Sequence, residues 1–171
     1  MAEVAQALGR ALAAFHHEVE PALWTDLEQS GALAGAPAAQ ARAEWECLAL
    51  HACVRGIVAG GGFADATADA VDAMHERVLE RWAAEAAAPA ELSARRERLA
   101  SRYAEYGRLG QEREAEGPEG VAAALGIAAA AHVFAPSPPA DATAVTLADL
   151  HAAMTEGAAE VVRRCASDAG A

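Results

Sequence analysis

Apolar residues along the chain recur at helical spacing and nowhere at strand spacing. Val4, Leu8, Leu12, Phe15 and Val19 follow one another at intervals of three or four, which places them on one face of a helix. Pro21 predicts an interruption, because proline removes a main-chain donor and clashes with the preceding turn. A short second helix would then carry Leu23, Trp24 and Leu27 as far as Ser30-Gly31. Gly35-Ala36-Pro37 reads as a turn, with Pro37 at a first helical position. The next predicted helix covers residues 38–59 and closes on Gly60-Gly61-Gly62. From Trp45 onward it is apolar around most of its circumference, the mark of a central helix.

A further helix is predicted over residues 64–88, with Val71, Met74, Val78 and Trp82 facing inward. Pro89 ends it and opens another, over residues 90–116. That one presents Leu92, Leu99, Tyr103 and Tyr106 on one side and many Glu and Arg on the other. Glu91 and Arg95, four apart, support a solvated outer face. Gly117-Pro118 breaks the chain again. Residues 119–135 then form a nearly all-apolar helix, either central in the fold or covered by another subunit. Pro136-Ser137-Pro138-Pro139 opens a stiff connector near 136–144. Thr146 with Asp149 resembles a capping box, and the last helix aligns Leu147, Leu150, Met154, Val161 and Cys165. The tail, 167–171, is expected to fray.

No period-2 run of β-branched and aromatic residues and no Asn-Gly hairpin signal is present. The expected fold is therefore all-α. A single domain over residues 1–171 would form a roughly antiparallel bundle of about six helices, with two nearly all-apolar central helices around 45–59 and 121–135.

Composition sharpens this picture. Alanine supplies roughly three residues in ten and aromatics 5%, so helices can approach closely while each contact stays small. The core must lean on a few large side chains: Trp24, Trp45, Trp82, Phe15, Phe63 and Phe134. A net charge of −12, with arginines interleaved among glutamates, argues against nucleic acid, which needs a basic stripe. It argues equally against an anionic membrane surface, and it favours a basic partner if there is one. Lys and Asn are both absent. Both have A-rich codons, which points to a GC-rich bacterial genome, and without Lys neither Schiff-base chemistry nor a P-loop is available. Cys47, Cys53 and Cys165 form no CxxC, as in a cytosolic protein with free thiols. The start, Met1-Ala2-Glu3-Val4, lacks a basic and then apolar signal. The apolar run 121–135 reads as too short to span a bilayer. A cytoplasmic location, with no membrane contact, is expected.

Chemistry-bearing residues gather in two patterns. Glu44, Cys47, His51 and Arg55 share a polar stripe on the otherwise apolar central helix. Facing inward, the stripe is a charge network or a ligand or acid–base site; facing outward, it is only a solvent strip. Cys47 and His51, at i,i+4, could also touch as a nucleophile and base, with Arg55 and Glu44 in support. The second pattern is His51, His75, His132 and His151, on or near the apolar faces of four helices. They would either converge on a metal or each be satisfied separately. His16 and His17 are adjacent, point about 100° apart, and make no i,i+4 pair. No HxxxH or ExxH is present, so a di-iron carboxylate site cannot be assembled. No catalytic signature appears and no cofactor is implied. Two readings follow. The first is a non-catalytic protein of the bacterial cytoplasm that acts through contacts with another protein or with itself as a homodimer, in the manner of an adaptor, chaperone or regulator. The alternative is a small-ligand- or metal-binding bundle, conceivably an enzyme, that uses the inward histidines.

Overall fold

The computed structural model describes residues 2–169. They form six α-helices and a single 3-10 turn: α1 (Ala2–Gln29), α2 (Ala38–Gly61), α3 (Asp65–Glu85), α4 (Pro89–Glu112), the turn Glu114–Glu116, α5 (Gly117–Phe134) and α6 (Asp141–Ala169). No strand occurs among the described residues, and the chain is an all-α bundle.

The helix α2 is central because, from Trp45 to Cys53, its sequence offers no side to solvent. Trp45, Cys47, Leu48, Ala49, Leu50, His51, Ala52 and Cys53 are all buried, which takes in every direction around the axis. Accordingly α2 touches all five other helices, most extensively α6. Small residues set that approach. A Cβ on Gly56 would lie 2.3 Å from the Thr155 carbonyl oxygen and 2.6 Å from Ala158 Cβ, and one on Gly60 would lie 2.9 Å from the Ala159 carbonyl oxygen. The same device seats Gly9 of α1 against Ala73 of α3 and Gly126 of α5 against Ala148 of α6. An Ala-rich chain thus gains packing density by bringing backbones together rather than by filling gaps with large side chains.

Several expectations need correction. Pro21 does not divide the first helix: α1 runs through it. Pro21 and His17 are both exposed, so water can take up the His17 carbonyl that proline leaves unbonded, while Leu12 and Leu27, buried on either side, hold the helix down. Thr146 does not cap the last helix. It lies inside α6, and its hydroxyl donates back to the Ala142 carbonyl. The last helix runs to Ala169; residues 170–171, the end of the tail expected to fray, lie outside the described residues. Phe63, expected in the core, is 96% exposed in the α2–α3 turn.

The largest difference concerns α5. It is not enclosed. It packs on α6, α2 and α4, burying Val121, Leu125, Ala129 and Val133, but its outer row of Ala123, Ile127 and Ala131 faces solvent. Within the stretch 114–134, an 18-residue window has mean hydropathy 1.3, long and apolar enough to cross a membrane on length and composition, yet only 39% of that window is buried in the bundle. Composition announces that this helix is apolar, but it cannot say which side is covered.

Candidate functional site

Three regions carry chemistry or an unusual surface. The first holds the residues singled out in the sequence. The stripe on α2 faces inward at its start, where Glu44 is buried. Its carboxylate accepts two bonds from Arg102 of α4, from Nε at 2.6 Å and Nη2 at 2.9 Å, with Arg98 Nε 3.8 Å away. A bidentate guanidinium is the partner a buried carboxylate requires, so Glu44 is engaged and is not orienting His51. Cys47 is buried one turn on. Burial first, and then the Glu44 charge, pushes its thiol up to about 12, which leaves it protonated and a poor nucleophile near neutrality. Arg55, at the far end of the stripe, is exposed.

His51 meets His151 of α6 instead, with Nδ1 3.2 Å from Nε2 and the rings stacked at 5.4 Å. Tyr103 and Tyr106 stand edge-on to His51, at 5.7 and 5.3 Å. Tyr103 also reaches His75 of α3: His75 Nδ1 donates to the Val71 carbonyl at 2.9 Å, which leaves Nε2 to accept from the Tyr103 hydroxyl at 2.8 Å. Desolvation lowers His51 to about 3 and His151 to about 4, and it lowers His75 against the opposing pull of its bond to the Val71 carbonyl. The three rings are therefore neutral at pH 7. His132 lies elsewhere, 2.6 Å from a Glu105 carboxylate oxygen on α4. Of the four histidines, His51 and His75 both contact Tyr103, His151 joins them through His51, and His132 pairs separately. Among the described residues no three His, Cys, Asp or Glu side chains are placed to hold a metal ion.

The second region was not legible as a site. Between α1, α2, α3 and α4 lies a cleft of about 90 Å³, lined by His16, His17, Glu20, Arg42, Glu46, Arg77, Arg81, Trp82, Glu85 and Arg95 among others. Its floor is ionic. Arg42 contacts Glu20 at 2.7 Å, Arg95 contacts Glu46 at 3.0 Å, and the Arg95 guanidinium lies over Trp82 at 4.4 Å. His16 is 7% exposed, and burial lowers it to about 4, with Arg81 and Arg42 adding to the effect. The signal in the sequence was positional. His16 and Glu20 fall in line with buried Ala5, Leu12 and Leu27 on α1, so two polar side chains continue an apolar row.

The third region is a groove of about 500 Å³ between α5 and α6, lined by Pro118, Ala122, Ala123, Ile127, Ala144, Val145, Ala148 and Ala152, with Glu119 and Asp149 as its charged residues. Ile127 and Val145 are each 61% exposed. Gly126 holds the two helices close enough to form a continuous apolar strip. No protein-family model, curated protein or solved structure matches this chain.

Proposed function

We propose that this protein is a non-catalytic, cytoplasmic adaptor or regulator, and that it works by docking an amphipathic helix with basic flanks into the α5–α6 groove. The exposed apolar face of α5 carries the reading. A helix with this little polar surface would ordinarily be wrapped by its own domain, and exposed apolar strips of this kind mark contact sites. The shape suits a helix laid in a groove, read by apolar anchors at i, i+3, i+4 and i+7. Charge selects the occupant. Glu119 and Asp149 are the charged residues of the lining, and the whole chain carries −12. A second copy would bring matching carboxylates to the same strip with no arginine of the lining to meet them. A partner with Arg or Lys beside its apolar ridge would pair with both.

The engagement of the central polar residues supports a non-catalytic role. Glu44 is held by Arg102, Cys47 is buried, His51 and His151 face each other, and His75 bonds Val71 and Tyr103. The test is an anisotropy titration with two labelled helical peptides that share one leucine ridge, one flanked by arginines and one by glutamates. The basic peptide should bind saturably and the acidic one should not. Ile127→Glu should abolish binding while leaving stability within about 0.5 kcal/mol, as for other exposed positions. Equal binding of both peptides, binding unaltered in Ile127→Glu, dimerisation through this face, or adsorption to neutral lipid vesicles in place of peptide would each contradict the proposal.

A further inference from the structure

The cleft between α1, α2, α3 and α4 is built differently from a solvated patch of ion pairs, and we infer that it binds a single small oxyanion. His16 supplies the first observation. Its Nε2 is buried and has no hydrogen-bond partner among the described residues, although it lines a space that is not filled. A buried ring nitrogen left without a partner forfeits the bonds it had to water, and a ligand oxygen placed in the cleft restores one. The imidazole is neutral near pH 7, and in the tautomer with hydrogen on Nε2 it has an unused donor beside the cleft.

The arginines supply the second observation. Four arginines against three glutamates leave the lining one positive charge in excess, in a chain of net charge −12. Arg42 and Arg95 are committed to Glu20 and Glu46. Arg81 is not: its Nε meets Glu85 at 2.6 Å, and among the described residues nothing else bonds its two terminal nitrogens. Arg77 has, among the described residues, only an exposed Glu80 at 3.7 Å. The mouth thus offers two guanidinium groups with unused donors above a buried imidazole, an arrangement that suits a carboxylate or phosphate. Glu85, already bonded to Arg81, keeps the site selective for a compact anion that need not approach it. Size sets the class. About 90 Å³ of space in the cleft is room for a few waters, which suits a compact anion such as acetate or inorganic phosphate.

Bound there, the anion would join α1 to α3 through His16 and Arg81, whereas the groove lies between α5 and α6. The two sites are independent, and failure of one leaves the other standing.

The experiment follows the His16 ring by NMR during titration with inorganic phosphate and, separately, acetate, at pH 7 and constant ionic strength set with chloride. His16 should shift saturably with at least one anion, and the arm that saturates identifies a tetrahedral or planar ligand. Arg81→Gln, at a half-exposed position where folding is not at stake, should weaken binding about tenfold or more, the loss of a charge-assisted bond. His16→Gln, which keeps a donor, should retain most of the affinity, and His16→Phe should lose it. No saturable shift with either anion, or affinity unchanged in Arg81→Gln and in the Arg77→Gln/Arg81→Gln double variant, would overturn the inference.

Discussion

Replacing Gly56 by alanine adds one methyl group where α2 and α6 meet. That carbon would lie 2.3 Å from the Thr155 carbonyl oxygen, 2.6 Å from Ala158 Cβ and 3.0 Å from the Ala159 nitrogen, while ordinary carbon contacts fall near 3.5–4.0 Å. Two of the three neighbours are backbone atoms, which no rotamer change can move aside, so the helices must part by roughly 1 Å. Overpacking of this kind costs about 1–3 kcal/mol, and backbone obstruction places Gly56 at the upper end. Alanine returns about 1 kcal/mol of helix propensity, leaving a net loss of about 2 kcal/mol. The control is Gly107, inside α4 with nothing within 4 Å of its would-be Cβ. There Gly107→Ala keeps only the propensity term and should stabilise by about 0.5–1 kcal/mol. Urea unfolding followed by far-UV circular dichroism measures both. A drop in midpoint for Gly56→Ala and a rise for Gly107→Ala, with unchanged slopes, is the expected result. Equal stabilisation by both would refute the claim that α2 and α6 are in backbone contact.

Three further outcomes follow from the interior. Arg102→Met removes both hydrogen bonds to the buried Glu44 carboxylate and leaves it Arg98 at 3.8 Å; it should cost about 3 kcal/mol, read in the same urea assay, with much of the loss recovered when Glu44→Leu is added. His16, His51 and His151 are held below their ordinary value of 6.5, at about 4, 3 and 4. Between pH 6.5 and about 4 the unfolded chain therefore binds protons that the folded chain refuses. Stability is complete above pH 6.5 and falls as the pH drops through that window, by up to about 1.4 kcal/mol per pH unit for each ring. Potentiometric proton uptake on unfolding at pH 5 should fall by about one in His16→Gln. Ellman's reagent should label Cys165, which is partly exposed, in the folded protein and reach buried Cys47 and Cys53 only in denaturant.

Periodicity was enough to read the helices because each helical face repeats every few residues and needs no knowledge of its neighbours. It placed α2 at the centre for the same reason: Trp45 through Cys53 leave no polar side to expose. The position of α5 was not legible, since a helix rich in alanine looks alike whether two of its faces are covered or all of them. Pro21 misled because a local rule met tertiary packing that outweighed it. In the candidate sites, Glu44 and His51 declared themselves as polar residues on an apolar helix. Their partners Arg102 and His151 lie 58 and 100 positions away, a separation that only the order of helices around the bundle resolves. His16 was overlooked because its significance lies in its line with Leu12 and Glu20, not in its neighbour His17.

The central claim, that the open face of α5 is a docking surface for a basic amphipathic helix, is tested most directly by mapping where such a helix sits. Backbone amide shifts of the labelled protein, recorded against the arginine-flanked peptide, should change around Ala123, Ile127, Val145 and Ala148 and stay still on α3. Shifts scattered over the bundle, or none on α5 and α6 at saturating peptide, would contradict it.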